Sequence, residues 1–525
     1  MPRAPLPKSG VQQPLQQAVA FHQQGRLDDA ERLYRGILAG APNSFDAQHL
    51  LGVLMKQRGR SADALRLIDK ALAANARSAD ALQNRANVLF EMKRFTDALA
   101  GYDKALALRP DDPRLISNRG NTLCELNRPA EAVAAFDRAL KLKPGDPDVL
   151  NTRGNALLTL NRASDALTCY DRALAVRPRD AQTLINRGNA LTDLRRPDDA
   201  LASYDSAIAV APDHAEAHWN KSLVLLSRGD FTRGFAEYEW RKRRVSATDK
   251  RDFAQPLWLG EANIAGKTVL LHAEQGYGDT IQFVRYAPLV AARGATVVLE
   301  LQASLKPLLS GLPGVSAVVS RGEPLPPFDL HCPLMSLPLA FRTTLDAVPA
   351  ATPYVDAPPE CIEKWKTLLP ADGFKVGLVW SGSPTHKNDH NRSIALGKLA
   401  PLLGDEKIQF ISLQRDLRDG DQKILRALPN VQALGPGLQD FADTAAVISL
   451  LDLVIAVDTG VAHLAGALGK PVWLLLPFIA EWRWLEGCDD SPWYPAARLF
   501  RQPKADDWES VVARVRDEVA ALQKR

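Results

Sequence analysis

The N-terminal half of the chain repeats one pattern of small, aromatic and polar positions every 34 residues. Alanine occupies one position of the repeat, in Ala30, Ala64, Ala98, Ala132, Ala166 and Ala200, with Gly234 last. A large ring occupies another, in Tyr34, Tyr102, Phe136, Tyr170, Tyr204 and Tyr238, with Ile68 in the one gap. Small residues let two helices approach closely while the ring fills the space beside them, so the pattern predicts a pair of helices in each unit.

A further series of small residues and a series of prolines complete the repeat. The small residues are Gly52, Gly120, Gly154 and Gly188, with Ala18, Ala86 and Ser222 on the remaining positions. Proline stops a helix, and four units end at Pro110, Pro144, Pro178 and Pro212. The whole pattern resembles the tetratricopeptide repeat, with seven units from about residue 11 to residue 248 and a degenerate last unit. This resemblance implies an α-solenoid whose groove binds a peptide or a protein.

Asparagine also follows the repeat. One position holds Asn84, Asn118, Asn186 and Asn220, and the position three residues later holds Asn87, Asn121, Asn155 and Asn189. Positions three apart share a helix face, and an amide can donate to and accept from an extended peptide backbone without reading its sequence. We interpret the second set as structural. The first set is a candidate binding surface for an acceptor protein, with a structural role as the alternative.

From Lys267 onward, short apolar runs alternate with helical segments. Such alternation predicts parallel sheets covered by helices. A Pro-rich passage at 348–360 is interpreted as a hinge between two Rossmann-like subdomains, with a ligand cleft at the carboxyl ends of their strands. The predicted domains are a disordered tail (1–10), the repeat array (11–248), a linker (249–265) and two subdomains (266–360 and 361–525).

Composition and charge add limits. The formal charge of +4 is too small to indicate a nucleic-acid partner. The five cysteines show no CxxC pairing, which predicts neither a disulfide framework nor a zinc site. The N-terminus lacks the apolar core of a signal peptide, and charged residues interrupt the most apolar stretch, 445–476. The sequence therefore predicts a soluble, cytoplasmic protein without membrane insertion.

The first chemical motif follows the apolar run 268–271. It places Gly276, Gly278 and Asp279 at the start of a predicted helix. The third glycine of a dinucleotide fingerprint is absent, because Ile281 stands there. The two glycines would let a helix N-terminus approach a ligand closely. From these residues alone, Asp279 is either a helix cap or a chemically active carboxylate.

Two further motifs follow predicted strands of the second subdomain. The segment 380–393 combines two small residues, Ser381 and Gly382, with two cations, Lys387 and Arg392. Small residues let a ligand approach the backbone closely, so the combination suits a diphosphate or a nucleotide.

The other segment, 455–471, ends a strand at Asp458 and begins a helix at once. The first-turn amides near Gly460 and the Thr459 hydroxyl would form an anion site, which His463 can reach from one turn further on.

The segment DTGVAHLAGALGKP (458–471) resembles the signature of bacterial heptosyltransferase-type glycosyltransferases, which have a GT-B fold. The resemblance implies that Asp279 is the catalytic base and that Lys387 or Arg392 is the basic residue of the donor loop. The implied nucleotide-sugar-binding residues are Gly276, Gly278, Ser381, Gly382, Lys387, Arg392, Gln414, Asp458, Thr459, Gly460, His463, Trp482 and Arg483. Trp482 and its neighbour Arg483 follow a strand end, where they either line the pocket or pack in the core.

A tetratricopeptide array followed by a GT-B unit resembles the O-GlcNAc transferases and bacterial flagellin-modifying glycosyltransferases. These resemblances imply a metal-independent transfer, without a cofactor, of a sugar from a nucleotide-sugar donor to Ser or Thr of a protein held by the array. Flagellin is the suspected acceptor. Two alternatives stay open: a heptosyltransferase-like enzyme that acts on a glycan or lipid, and a scaffold that binds a nucleotide sugar without turnover.

Overall fold

The computed structural model describes residues 8–244, 251–386, 388–405 and 407–522. Parts of the sequence predictions lie outside these residues: 1–7 of the tail, 245–248 of the repeat array, 249–250 of the linker, and 406 and 523–525 of the second subdomain, together with the predicted donor-loop cation Lys387. The chain divides into two compact units, residues 1–213 and 214–525.

The first unit consists of helices in antiparallel pairs, two per repeat. They are α1 (Lys8–Gln23), α2 (Leu27–Gly40), α3 (Phe45–Gln57), α4 (Ser61–Ala74), α5 (Ala79–Glu91), α6 (Phe95–Leu108), α7 (Pro113–Glu125), α8 (Pro129–Leu142), α9 (Pro147–Thr159), α10 (Ala163–Val176), α11 (Ala181–Asp193) and α12 (Pro197–Val210). This is the predicted tetratricopeptide solenoid. One more pair, α13 (Ala215–Ser227) and α14 (Phe231–Tyr238), belongs to the second unit.

The glycine and ring series meet inside each pair of helices. A Cβ atom at Gly154 would lie 2.4 Å from the ring of Tyr170, and one at Gly188 would lie 2.4 Å from the ring of Tyr204. Both rings are buried. The glycines are therefore small because the ring of the partner helix occupies the space of a side chain.

Ion pairs between an arginine and an aspartate 16 residues earlier join successive repeats, a series that the sequence analysis did not identify. They are Arg85–Asp69 (2.5 Å), Arg119–Asp103 (2.6 Å), Arg153–Asp137 (2.7 Å) and Arg187–Asp171 (2.7 Å). Each pair links the second helix of one repeat to the first helix of the next. Because the side chains are partly exposed, each pair contributes only about 0–1 kcal/mol.

The second unit contains two sheets whose strands are all parallel. The first sheet has the order β3-β2-β1-β4, with strands β1 (Thr268–His272), β2 (Thr296–Leu301), β3 (Val315–Ser320) and β4 (Leu330–Pro333). The second has the order β10-β9-β8-β5-β6-β7, with strands β5 (Phe374–Val379), β6 (Ile408–Ser412), β7 (Val431–Ala433), β8 (Leu453–Val457), β9 (Val472–Leu476) and β10 (Ala497–Arg501).

Helices connect and cover these strands. They are α15 (Tyr277–Phe283), α16 (Ala287–Ala292), α17 (Lys306–Leu309), α18 (Leu337–Ala340), α19 (Pro359–Lys366), α20 (Asp389–Arg392), α21 (Ala400–Leu403), α22 (Asp421–Arg426), α23 (Phe441–Ser449), α24 (Gly460–Ala467) and α25 (Trp508–Leu522). The arrangement is the predicted α/β fold of two Rossmann-like subdomains and is consistent with GT-B. Among the described residues, no helix combines the length and apolarity needed to cross a membrane.

The strand order places a crevice in each subdomain. In the first sheet the chain runs from β1 to β2 on one side and returns to β4 on the other; in the second, β5 lies between β6 and β8. Loops that leave adjacent strands in opposite directions open a crevice at the carboxyl edge of a parallel sheet, where ligands bind. The loops after β1, β5 and β8 carry the three motifs identified in the sequence.

The packing of glycine against rings makes a testable prediction. Replacing Gly154 by Ala forces its methyl group against Tyr170, and overpacking of a core typically costs about 1–3 kcal/mol, offset by about 1 kcal/mol of helix propensity. We expect a lower midpoint of chemical denaturation, followed by circular dichroism. The control is Gly145→Ala, where no atom lies within 4 Å of the new methyl group; equal midpoints for the two variants would contradict the packing.

Candidate active site at the junction of the α/β subdomains

Asp279 lies in the first turn of α15, and both of its carboxylate oxygens have partners. Oδ2 accepts a hydrogen bond from the Gly276 N–H at 2.8 Å, which caps the helix. Oδ1 accepts one from Nη2 of Arg483 at 2.6 Å. The side chain still keeps 19% of its surface exposed. Asp279 is therefore a helix cap and also one partner of an ion pair between the subdomains.

Arg483 crosses from the second subdomain into the first and is almost completely buried, with 7% of its side chain exposed. Its Nε donates to Oε1 of Gln282 at 2.6 Å, and its Nη1 pairs with Glu481. The guanidinium also lies 4.4 Å from the ring centroid of Trp482. Burial alone would lower the pKa of Arg483, but the carboxylates of Glu481 and Asp279 outweigh it and raise the pKa.

The first turns of α15 and α24 approach each other through glycine. A Cβ atom at Gly278 would lie 2.6 Å from Cδ2 of His463, and one at Gly460 would lie 3.5 Å from the backbone nitrogen of Gly278. Gly278 therefore provides space for a side chain of the other subdomain. The same turn brings Asp279 beside the loop that follows β8.

His463 is enclosed by aromatic rings and one carboxylate. Its Nδ1 lies 2.9 Å from the hydroxyl of Tyr494, and its ring stacks on Trp484 at 5.2 Å. Its Nε2 lies 3.7 Å from Oδ1 of Asp458. Burial lowers the pKa of His463 well below its ordinary value, and the charge of Arg483 adds to this effect. His463 is therefore a neutral imidazole that can donate or accept a single hydrogen bond on each side.

The loops after β5 and β8 meet at Arg392. Its Nη1 donates to the carbonyl oxygen of Asp458 at 3.1 Å. Its guanidinium lies against Gly382, where a Cβ atom would be 2.4 Å from Nη2. Among the described residues, neither the buried Nε of Arg392 nor the buried Oγ1 of Thr459 has a hydrogen-bond partner, although this Nε lies 3.7 Å from Oδ1 of Asp389. Because buried polar groups are normally satisfied, these two donors are suited to an anionic ligand at the N-terminus of α24.

Two residues predicted to bind the nucleotide sugar, Gln414 and Ser381, stabilise the loop after β5. Gln414 accepts hydrogen bonds through Oε1 from the backbone N–H groups of Ser381 (3.1 Å) and Trp380 (3.3 Å). Its Nε2 donates to the carbonyl of Asp416 at 3.1 Å. Gln414 and Ser381 thus fix the course of the loop.

Trp482 packs in the hydrophobic core, where only 3% of its surface is exposed. Its ring contacts Phe235 and Tyr238 of α14, with centroids 5.7 and 6.0 Å away. Of the two roles that the sequence left open for Trp482, the structure therefore shows the packing role.

The asparagines of the first set differ in how fully their amides are engaged. Asn186 is buried, donates to Asn151 at 3.0 Å and accepts from Gln182 at 3.1 Å. Asn84 lies 2.9 Å from Nε2 of His49. Within the described residues, the amide of Asn118 makes one long contact, 3.5 Å to Oδ1 of Asn87. Asn220 lies in α13 of the second unit. The first asparagine set is therefore engaged unequally along the array.

Three of the four asparagines of the second set have the structural role expected from the sequence; the ring that corresponds to Asn121 is Phe136, which has no hydroxyl. The carbonyl oxygens of Asn87, Asn155 and Asn189 accept hydrogen bonds from the hydroxyls of Tyr102 (2.6 Å), Tyr170 (2.7 Å) and Tyr204 (2.8 Å). Each bond ties the first helix of a repeat to its second.

Three residues of the site escaped the sequence analysis: Gln282, Glu481 and Tyr494. Gln282 follows Asp279 by three positions and so shares its helix face, a signal that could have identified it. Glu481 stands two residues before Arg483, a spacing that carries no recognisable motif. Tyr494 reaches His463 from 31 residues away. Among the described residues, no group of three or more His, Cys, Asp or Glu side chains is arranged to hold a metal ion.

Comparison with protein families agrees with both halves of the chain. The model of glycosyltransferase family 9 (heptosyltransferase) matches residues 420–475, which include the loop after β8. Tetratricopeptide-repeat models match 15–35, 49–113, 84–147, 117–182, 151–196 and 185–239. These matches support a glycosyltransferase that carries a repeat array.

A curated relative, Protein FlbA of Caulobacter vibrioides, is 27% identical over 322 residues, covering 56% of this chain and 53% of FlbA. The chain thus spans about half the length of this relative. Among solved structures, YrrB, a tetratricopeptide protein with an unusual peptide-binding site, is 23% identical, with 36% of this chain and 98% of YrrB covered and a TM-score of 0.33. The pilF protein of Pseudomonas aeruginosa is 24% identical, with 40% and 95% covered and a TM-score of 0.36.

The environment of Glu481 predicts a pH-dependent stability. Burial raises its pKa from 4.5 to about 7, against the lowering effect of Arg483. Between these values the folded state retains a proton that the unfolded state has released, so ionisation of Glu481 lowers stability as the pH rises through that window. We expect Glu481→Gln to raise Tm at about pH 8 relative to the wild type and to have little effect at about pH 5.

Thermal unfolding at the two pH values measures this difference. The control is Glu509→Gln on the exposed first turn of α25, which removes the same charge without touching Arg483. A Glu481→Gln variant whose Tm relative to the wild type is the same at both pH values would contradict the assignment.

Proposed function

We propose that the chain is a protein O-glycosyltransferase that transfers a sugar from a nucleotide-sugar donor to a Ser or Thr hydroxyl of a protein acceptor, in the cytoplasm. The observation that carries the proposal is the approach of a partly exposed carboxylate, Asp279, to the N-terminus of α24. Beside that terminus, among the described residues, the buried Thr459 Oγ1 has no hydrogen bond, and the buried Arg392 Nε has only a 3.7 Å ion pair with Asp389. The match to glycosyltransferase family 9 supports it.

In the proposed reaction Asp279 is the general base. A carboxylate has about four lone-pair positions, and the cap and Arg483 use one on each oxygen. The remaining positions can accept the proton of the acceptor hydroxyl. The hydroxyl oxygen then forms a bond to the anomeric carbon, and the bond between that carbon and the phosphate oxygen breaks with its electron pair going to the nucleotide.

The negative charge that develops on the nucleotide phosphate is stabilised at the start of α24. First-turn amides and the helix dipole favour an anion at such a position. The Thr459 hydroxyl and the Arg392 guanidinium provide further hydrogen bonds. Lys387, which precedes Arg392 by five residues, is proposed as a second cation. Because these groups can together replace a metal ion, we propose a metal-independent transfer without a cofactor.

The repeat array is proposed to bind the acceptor protein, for which flagellin is the candidate. A cavity of about 150 Å³ in the array is lined by Lys56, Asn87, Phe90, Glu91, Tyr102, Asn118 and Asn121. Within the part of the chain that the structure describes, the Asn118 side chain donates one long bond, 3.5 Å to Asn87, so its amide can turn to a peptide backbone. Amide contacts of this kind suit an extended segment of varied sequence.

The experiment begins with a thermal-shift panel of UDP-, ADP-, GDP-, CMP- and dTDP-sugars. A donor at 100 times its Kd should stabilise the fold by roughly 2.7 kcal/mol. Asp279→Asn should keep this shift and lose turnover by about 10²–10⁴-fold, the usual contribution of a positioned base. Turnover is followed as sugar release and as a mass increase of purified flagellin, with and without EDTA.

The matched control is Asp346→Asn, which removes an exposed carboxylate from the same subdomain and should leave turnover unchanged. Failure of all five donors to stabilise the wild type, or full turnover by Asp279→Asn, would refute the proposed function. Transfer to a lipid or free glycan but not to protein would refute the protein acceptor and assign a lipid or glycan acceptor instead. Loss of turnover with EDTA would refute metal independence.

A further inference from the structure

The sequence resemblance implies that Arg483 binds the nucleotide-sugar donor, but in the structure its guanidinium contacts protein groups instead. Each of its three nitrogens donates to a protein oxygen: Nε to Gln282, Nη1 to Glu481 and Nη2 to Asp279. Only 7% of the side chain is exposed. The guanidinium therefore has little surface left for a substrate.

A purely structural role does not explain why the buried residue at position 483 carries a charge. Withdrawing an arginine from water has a large free-energy cost, and a well-packed apolar side chain of similar size is often as stable or more stable. The neighbouring ring of Trp482 would accommodate such a side chain. What only a guanidinium provides here is a planar fork that holds two carboxylates and an amide oxygen in fixed directions.

We infer that Arg483 is a positioning residue that acts through Asp279, so that the base is correctly oriented only when the second subdomain is docked on the first. The inference rests on the proposed function. The Gly276 N–H fixes Oδ2 of Asp279 from within α15, while Arg483 fixes Oδ1 from the other subdomain. Together they determine the plane of the carboxylate and the direction of its free lone pairs.

The turn that carries Arg483 is itself held in place. Glu481 accepts the backbone N–H of Arg483 at 3.0 Å through Oε2, while its Oε1 pairs with the guanidinium. The next residue but one, Leu485, has a φ of 54°, a value that is unfavourable for a side chain of this kind. The segment 481–485 is therefore a tight turn that aims one side chain at α15.

A double-mutant cycle distinguishes positioning from donor binding. The four chains are the wild type, Arg483→Gln, Asp279→Asn and the double variant. Turnover is sugar release from whichever of the UDP-, ADP-, GDP-, CMP- and dTDP-sugars stabilises the wild type, and affinity is measured with the corresponding free nucleotide.

If Arg483 acts through Asp279, Arg483→Gln lowers kcat at least about tenfold in the wild type and less than about twofold in the Asp279→Asn background. The Kd of the nucleotide stays within about twofold. Arg483→Lys, which retains the charge without the fork, should recover part of kcat and also serves if the glutamine variant does not fold.

The matched control is Arg285→Gln. Arg285 is also buried and donates to the carbonyl oxygens of Trp493 (2.7 Å) and Pro349 (3.2 Å), but makes no hydrogen bond to Asp279 in the described chain. Its effect on kcat should be the same in both backgrounds.

The outcomes separate the two hypotheses. Multiplicative effects of Arg483→Gln and Asp279→Asn, or a large rise in nucleotide Kd, would overturn the positioning role while leaving the proposed function intact. Absence of sugar release by the wild type would overturn the proposed function and the positioning role together.

Discussion

The close approach of α15 and α24 is the constraint on which the site depends. Two glycines bring the first turns of these helices together, and the ring of His463 occupies the space that a side chain at 278 would need. Any larger residue would separate the subdomains and, with them, the carboxylate of Asp279 from the loop after β8. Gly278 of the first motif and Gly460 of the third therefore serve subdomain packing before they serve any ligand.

Around this contact the charges are arranged in a definite order. Arg483 lies between Asp279 and Glu481, while Arg392 holds the backbone of the loop after β8 through the carbonyl of Asp458. Burial raises the pKa of Asp458 and of Glu481, against the lowering effect of these arginines. The site thus combines two cations with two carboxylates whose pKa burial raises, and perturbed titratable groups of this kind cluster at functional sites.

Much of the fold could be predicted because periodicity determines it. The opposition of Gly154 and Tyr170 follows from two series with the same spacing, and the parallel sheets follow from alternating apolar segments. The bond between Arg483 and Asp279 joins residues 204 positions apart, and no local pattern reports such a contact. Trp482 illustrates the same limit, since its neighbours in α14 become visible only when the chain has folded.

The arginine–aspartate pairs of the array have a consequence for how its length can change. Every junction from Asp69–Arg85 to Asp171–Arg187 uses the same two residue types at the same separation. A duplicated or deleted unit would therefore form a complete junction with whichever neighbour it met, without compensating substitutions elsewhere. The length of the array can therefore change by whole-repeat recombination, which copies existing sequence rather than inventing new contacts.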